Sequence, residues 1–139
     1  MSHDATLKKS LLIGTARDRA RRVEVALKRS ASGFKIVLSD AEIGEIESDG
    51  SDFFECFQNL RRVLAISDLH CFCQGARLNV WPSGMARRMS DGLKAYVLKV
   101  GQRPSAEDLV EIFADADGVR SVDDQIAFFD EWKRSINAT

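Results

Sequence analysis

The clearest pattern along the chain is the alternation of apolar and polar positions in Val23-Glu24-Val25-Ala26-Leu27-Lys28. A β-strand sends successive side chains to opposite faces, so Val23, Val25 and Leu27 share one face of a half-buried strand. Ser30 to Gly33 carries turn chemistry, and Phe34-Lys35-Ile36-Val37-Leu38 reads as the returning strand of a β-hairpin. At Asp52 the period changes. Phe53, Phe57, Leu60 and Leu64 recur at helical spacing with Phe54 beside them. Asp52 and Glu55 form an aspartate version of the capping box, and Arg61 and Arg62 suit the negative end of the helix dipole. The spacing predicts a core helix.

Leu69 to Val80 has a strand-like beat that Gln74-Gly75 interrupts, and Trp81-Pro82-Ser83-Gly84 punctuates it. Ser83 then caps a short helix over Met85 to Ser90, which Gly92 ends. Leu93 to Val100 alternates with apolar residues on both faces, as a central strand does, and Gly101 closes it. Pro104-Ser105-Ala106-Glu107-Asp108 is a helix-start signal, followed by Leu109, Val110, Ile112 and Phe113. Ser121 and Asp124 resemble a capping box. Val122, Ile126, Phe129, Trp132 and Ile136 mark one face of a C-terminal helix, the strongest helical pattern in the chain. Strands and helices do not alternate in βαβ fashion. The expected fold is therefore α+β: an antiparallel or mixed sheet with an early hairpin, covered by about three helices.

The chain has 139 residues with no repeat, low-complexity tract or Pro/Ser-rich linker, so one domain over 1–139 is expected, with 1–9 as a mobile tail. An apolar fraction of 45% with two prolines excludes a disordered chain. Met1 to Lys9 lacks the apolar core of a signal, and no stretch approaches the roughly 18 apolar residues of a spanning helix. The expected address is the cytoplasm, and no membrane partner is expected. A net charge of -1 gives no bias toward nucleic acid. Arg17, Arg19, Arg21 and Arg22 lie close together, but no aromatic residues interleave with them. They read as a solvated basic face, able to pair with the acidic segment from Asp40 to Glu55.

Three cysteines, Cys56, Cys71 and Cys73, read as free thiols in a reducing compartment. Together with His70 they supply the ligand types of a zinc site, but not its spacing. Paired zinc cysteines usually stand two to four residues apart so that a turn can wrap the metal. On a strand Cys71 and Cys73 would face one side and His70 and Phe72 the other, which also separates a nucleophilic thiol from its base. No metal and no cofactor are expected, and Cys73 is the least implausible nucleophile.

Two stretches carry candidate function. From Asp40 to Glu55 the charge is purely acidic, with Asp40, Glu42, Glu45, Glu47, Asp49 and Asp52 and no Lys or Arg among them. As a solvated loop or helix start this run needs no function; held outward and unneutralised, it would steer and hold a basic partner. Asp49, Gly50 and Asp52 lack the ordered ligand spacing of an EF-hand. The second stretch, Gln74 to Arg88, gathers glycines, a Trp-Pro step and three arginines around a helix start. Free amides near Gly84, with Arg77, Arg87 or Arg88 converging, would hold a phosphate or carboxylate. In the plainer reading the glycines set turns, Trp81 and Met85 pack, and the arginines point to water. No Walker pattern or dinucleotide fingerprint is present.

The block Gln74 to Met85, continued by Gly92-Leu93-Lys94-Ala95-Tyr96, resembles a group of small bacterial proteins without an assigned function. It covers the C-terminal half and brings no catalytic residues with it. In size and build the chain is also similar to immunity proteins of contact-dependent and other polymorphic toxin systems. That likeness implies tight binding to a cognate toxin domain, often a nuclease, whose active site or essential surface would be blocked. The alternative from the residues themselves is a small enzyme or anion- or nucleotide-binding domain built on the stretch from Gln74 to Arg88.

Overall fold

The structure, a computed structural model, describes residues 5–137. Strands β1 (Ala5–Gly14), β2 (Arg21–Ser30), β3 (Gly33–Asp40) and β4 (Gly44–Gly50) form an antiparallel meander. The short β5 (His70–Cys71) joins the far side of β1, so the order is β4-β3-β2-β1-β5. The β2–β3 hairpin lies where the alternation puts it, with Leu27 opposite Ile36 and Val25 opposite Leu38. Register sets the rows: Leu11, Ile13, Val23, Val25, Leu27, Ile36 and Leu38 are all buried on one face. Helix α1 (Phe53–Ala65) covers that face with Phe54, Phe57, Leu60 and Leu64. Each such side chain contributes roughly 1.5–3 kcal/mol on leaving water. Asp52 caps α1 by accepting the Glu55 N–H at 2.8 Å, while Glu55 reaches back to the Ser51 N–H rather than to Asp52.

A smaller sheet follows, in the order β6 (Val80–Trp81), β7 (Lys94–Val97) and β8 (Leu109–Glu111). β7 is central, as its two apolar faces predict. Helix α2 (Gly84–Ser90) is capped by Ser83, whose Oγ accepts the Ala86 N–H at 3.0 Å. Its end needs Gly92, which sits at φ +81 where a Cβ would come within 2.8 Å of Asp52 Cγ and the Phe54 nitrogen. Helix α3 (Val122–Asn137) is the last element among the described residues. The fold is α+β, with two antiparallel sheets and three α-helices among the described residues. None of these helices is long and apolar enough to cross a membrane.

Three local expectations are corrected. Residues 5–9 of the expected tail form half of β1, paired with β2 from Ala5 opposite Arg29; residues 1–4 lie outside the described ones. The helix-start signal after Pro104 yields one 3₁₀ turn, Ala106–Asp108, boxed by Ser105 and Asp108, before Leu109–Glu111 extends as β8. The acidic run, expected as a loop or helix start, supplies strand β4.

A buried polar knot ties the two parts together. Arg61, on α1, donates to Gln125 Oε1 at 2.8 Å and to the Arg120 carbonyl at 2.6 Å, with the Gly75 and Ala76 carbonyls at 3.4 Å. Gln125 on α3 is fully buried and donates to the carbonyls of Gly75, Arg77 and Val80 at 2.8–3.0 Å. Burial lowers the Arg61 pKa, and these oxygens are what keep its charge tolerable. The rest of α3 rides on the outside. Phe129 stacks on Trp81 with centroids 4.4 Å apart, and Trp132 Nε1 donates to the Gln102 carbonyl at 2.9 Å.

Candidate functional site

The acidic run is where the structure departs furthest from the expected surface. Asp40 ends β3, next to Arg21 at the start of β2, and the two form a two-pronged ion pair at 2.5–2.6 Å. Only 10% of its side chain is exposed. The Arg21 guanidinium, with the Ile43 N–H, holds the Asp40 carboxyl well below the usual carboxylate range. Glu42 shares Arg21 at 3.4 Å. Across the β3–β4 ladder, Lys35 reaches Glu47 at 3.4 Å and Asp49 at 3.9 Å. Asp52 is buried, and its second oxygen takes a 2.7 Å bond from Arg87. Glu45 alone of the six is exposed without an ion pair among the described residues. The expectation of an unneutralised carboxylate face is corrected in part: five of the six have a cationic partner within the fold, but three cations serve the five, Arg21 shared by Asp40 and Glu42, Lys35 by Glu47 and Asp49, and Arg87 of α2 held by Asp52.

The anion-site expectation is corrected in the same way. Arg77 donates to Gln74 Oε1 at 2.9 Å. Arg87 is committed to Asp52 and lies over the rings of Phe54 and Trp81, at 5.4 and 5.9 Å from their centroids. Arg88 is exposed on a helix of only 7 residues, its Nη1 3.8 Å from where a Cβ on Gly84 would stand. Arg77 and Arg87 are thus held by different internal partners, which leaves Arg88 alone of the three arginines beside Gly84. The first half of this stretch serves the polar knot instead: Gly75 packs so closely that a Cβ would lie 2.9 Å from Ile112 Cβ.

The thiols are sequestered. Cys56, Cys71 and Cys73 are free and buried, and burial pushes Cys56 and Cys71 up to about 12 and Cys73 higher still. His70 is exposed and meets Asp68 at 3.1 Å, so the strand separates it from the thiols as alternation predicts. A neutral thiol in an apolar setting is a poor nucleophile.

What the chain leaves unmatched is apolar. A groove of about 660 Å³ runs between β1, α2, β7 and β8. Large side chains stand open along it: Leu7 is 47% exposed, Met85 62%, Met89 81% and Leu109 38%. Lys9, Lys94 and Glu111 punctuate the lining, and none forms an ion pair among the described residues. Met85 was expected to pack, but α2 is short and turns Ala86 inward, leaving both methionines on its open side. The sequence carried one overlooked sign of this groove. Lys9 occupies a position whose neighbours Leu7 and Leu11 share its face, so a charge interrupts an otherwise apolar row.

Among known proteins, no protein-family model matches this chain and no curated protein matches its sequence.

Proposed function

We propose that this protein works by docking a second polypeptide, as an immunity protein that neutralises a cognate toxin domain by occluding it. The observation that carries this reading is the groove, in which Leu7, Met85, Met89 and Leu109 remain exposed together. Contiguous exposed apolar surface is costly to keep and marks interaction sites. Methionine suits such a surface, since its unbranched, polarisable chain adapts to a partner's shape. Depletion of charge toward a patch's centre with a polar rim is how docking surfaces are built. The protonated, buried thiols favour binding over nucleophilic chemistry. Glu45 and the paired acids around it contribute a long-range field for a basic toxin rather than the docking contacts themselves. The action is set in the cytoplasm, where free thiols persist.

Co-expression with the product of the adjacent upstream reading frame tests the reading. The neighbour should be toxic alone, harmless with this chain, and recovered with it as a stable complex. Met85→Glu with Met89→Glu should abolish both rescue and complex, whereas Glu45→Gln should preserve them. A neighbour that is harmless, or that does not bind, overturns the proposal.

A further inference from the structure

The groove has a second property that side-chain exposure does not reveal: one of its walls is an open strand edge. β5 pairs with β1 only at Ile13 opposite Cys71 and Gly14 opposite His70, with one more bond from the Phe72 N–H to the Leu12 carbonyl at 2.9 Å. After Cys73 the chain curls into the 3₁₀ turn Gln74–Ala76 and leaves the lane beside β1. Along a strand, backbone N–H and C=O groups turn to alternate sides every residue. The side on which Leu12 meets Phe72 therefore also carries the polar groups of Ser10, Lys8 and Thr6. No strand among the described residues pairs with them there. This open stretch is roughly 17 Å long at about 3.3 Å per residue. The same stretch sends Leu7 and Lys9 into the groove against Met85, Met89 and Leu109.

We infer that this edge of β1 is a strand acceptor: an extended segment of a partner polypeptide adds beside β1, in the lane that β5 enters only at its end. Main-chain bonds to Thr6, Lys8 and Ser10 would hold it, and its alternate apolar side chains would drop onto Met85, Met89 and Leu109. The inference deepens the docking reading by naming the mode of attachment, and rests on it for the identity of the partner alone. Charge selects the occupant. Lys9, Lys94 and Glu111 line the groove without an ion pair among the described residues; on the opposite face of the same edge Lys8 lies 3.6 Å from Glu24 with both side chains largely exposed, and the exposed Lys28 stands opposite Thr6. An incoming strand that alternates apolar and acidic residues lays its apolar set on the groove and turns its acids toward Lys8 and Lys28 on the other face. A second copy of this chain does not: paired antiparallel about the middle of the stretch, it would set Lys8 against Lys8, and like charges directly opposite are unfavourable.

The test uses the full chain and a fluorescein-labelled, end-blocked nonapeptide alternating leucine or valine with glutamate, read by anisotropy. The peptide should bind saturably. A version N-methylated at the amides facing β1 should bind at least about tenfold more weakly, since each lost main-chain bond is worth about a factor of ten. Lys8→Pro removes an edge-facing N–H without touching the ladder to β2, so it should abolish binding while circular dichroism and the urea midpoint stay unchanged. Equal binding of the N-methylated peptide would mean a side-chain groove alone and would overturn the proposal, as would failure of the parent peptide to bind. Concentration-dependent dimerisation that protects the Thr6 to Ser10 amides from exchange would assign the edge to a second copy and overturn it too. The co-expression experiment can fail while the peptide binds, so the loss of one reading is distinguishable from the loss of the other.

Discussion

The β3–β4 hairpin and the groove beside α2 are opposites in composition and in fate. The hairpin concentrates carboxylates, yet Arg21, Lys35 and Arg87 of the same chain answer five of the six. The groove holds few charges, yet its methionines and the edge of β1 are left without partners among the described residues. Density of charge in a sequence is thus a weak guide to an interface, because folding can bring the opposite charge from elsewhere. Apolar groups that stay exposed after folding have been offered the core and not taken it. The difference assigns the hairpin to stability and the groove to binding.

Four measurements would break or sharpen that division. The largest stability effect is expected from Asp52→Ala, which removes the α1 cap and leaves Arg87 half-buried without its carboxylate. A loss of about 2–3 kcal/mol in urea unfolding follows from the cap and the charged hydrogen bond together. Next, Asp40→Asn should lower the urea midpoint at pH 7. The folded-state pKa of Asp40 is depressed, chiefly by Arg21, so its contribution is present above the ordinary aspartate value. It is lost as pH falls from there toward the folded value. Wild type and variant should therefore converge as unfolding is repeated from pH 5 down to pH 2; a gap that persists would mean the pair is not the source. Third, Met85→Ser with Met89→Ser should change stability by no more than about 0.5 kcal/mol while weakening partner binding, the reverse of Asp52→Ala. If the methionine variant instead unfolds early, the groove belongs to the core. Smallest of all, Glu45→Gln should alter neither stability nor the bound complex, and should only slow association at low salt by stopped-flow.

Much of the fold was legible where one periodicity ran unbroken. β2 and β3 alternate cleanly because one face is covered by α1, and α1 itself shows a full apolar stripe. β1 was hidden because its inward row includes Lys9, and that row borders a groove instead of a helix. β4 was hidden because its inward positions are Ile46 and Ser48, the latter satisfied by donating to the Cys56 carbonyl at 2.9 Å. A hydroxyl there breaks the alternation without breaking the packing. After Pro104 the capping residues did their local job for one turn, and sheet pairing with β7 then overrode the helix. The candidate site was less legible. An ion pair such as Arg21 with Asp40 depends on which strands become neighbours, and exposure of Met89 depends on how short α2 is. Neither is a property of any window of sequence.

The buried guanidinium of Arg61 has a consequence for how the chain comes into being. Two of its closest acceptors, the Arg120 carbonyl and Gln125 Oε1, lie 59 and 64 residues further along the chain, in a segment that leaves a ribosome well after α1. Until that segment emerges and docks, α1 carries a permanent charge on the side that must become interior. The meander and α1 can gather early in synthesis, but they cannot seal. Completion waits for α3, so premature termination before Arg120 should leave a product that proteases recognise as unfinished.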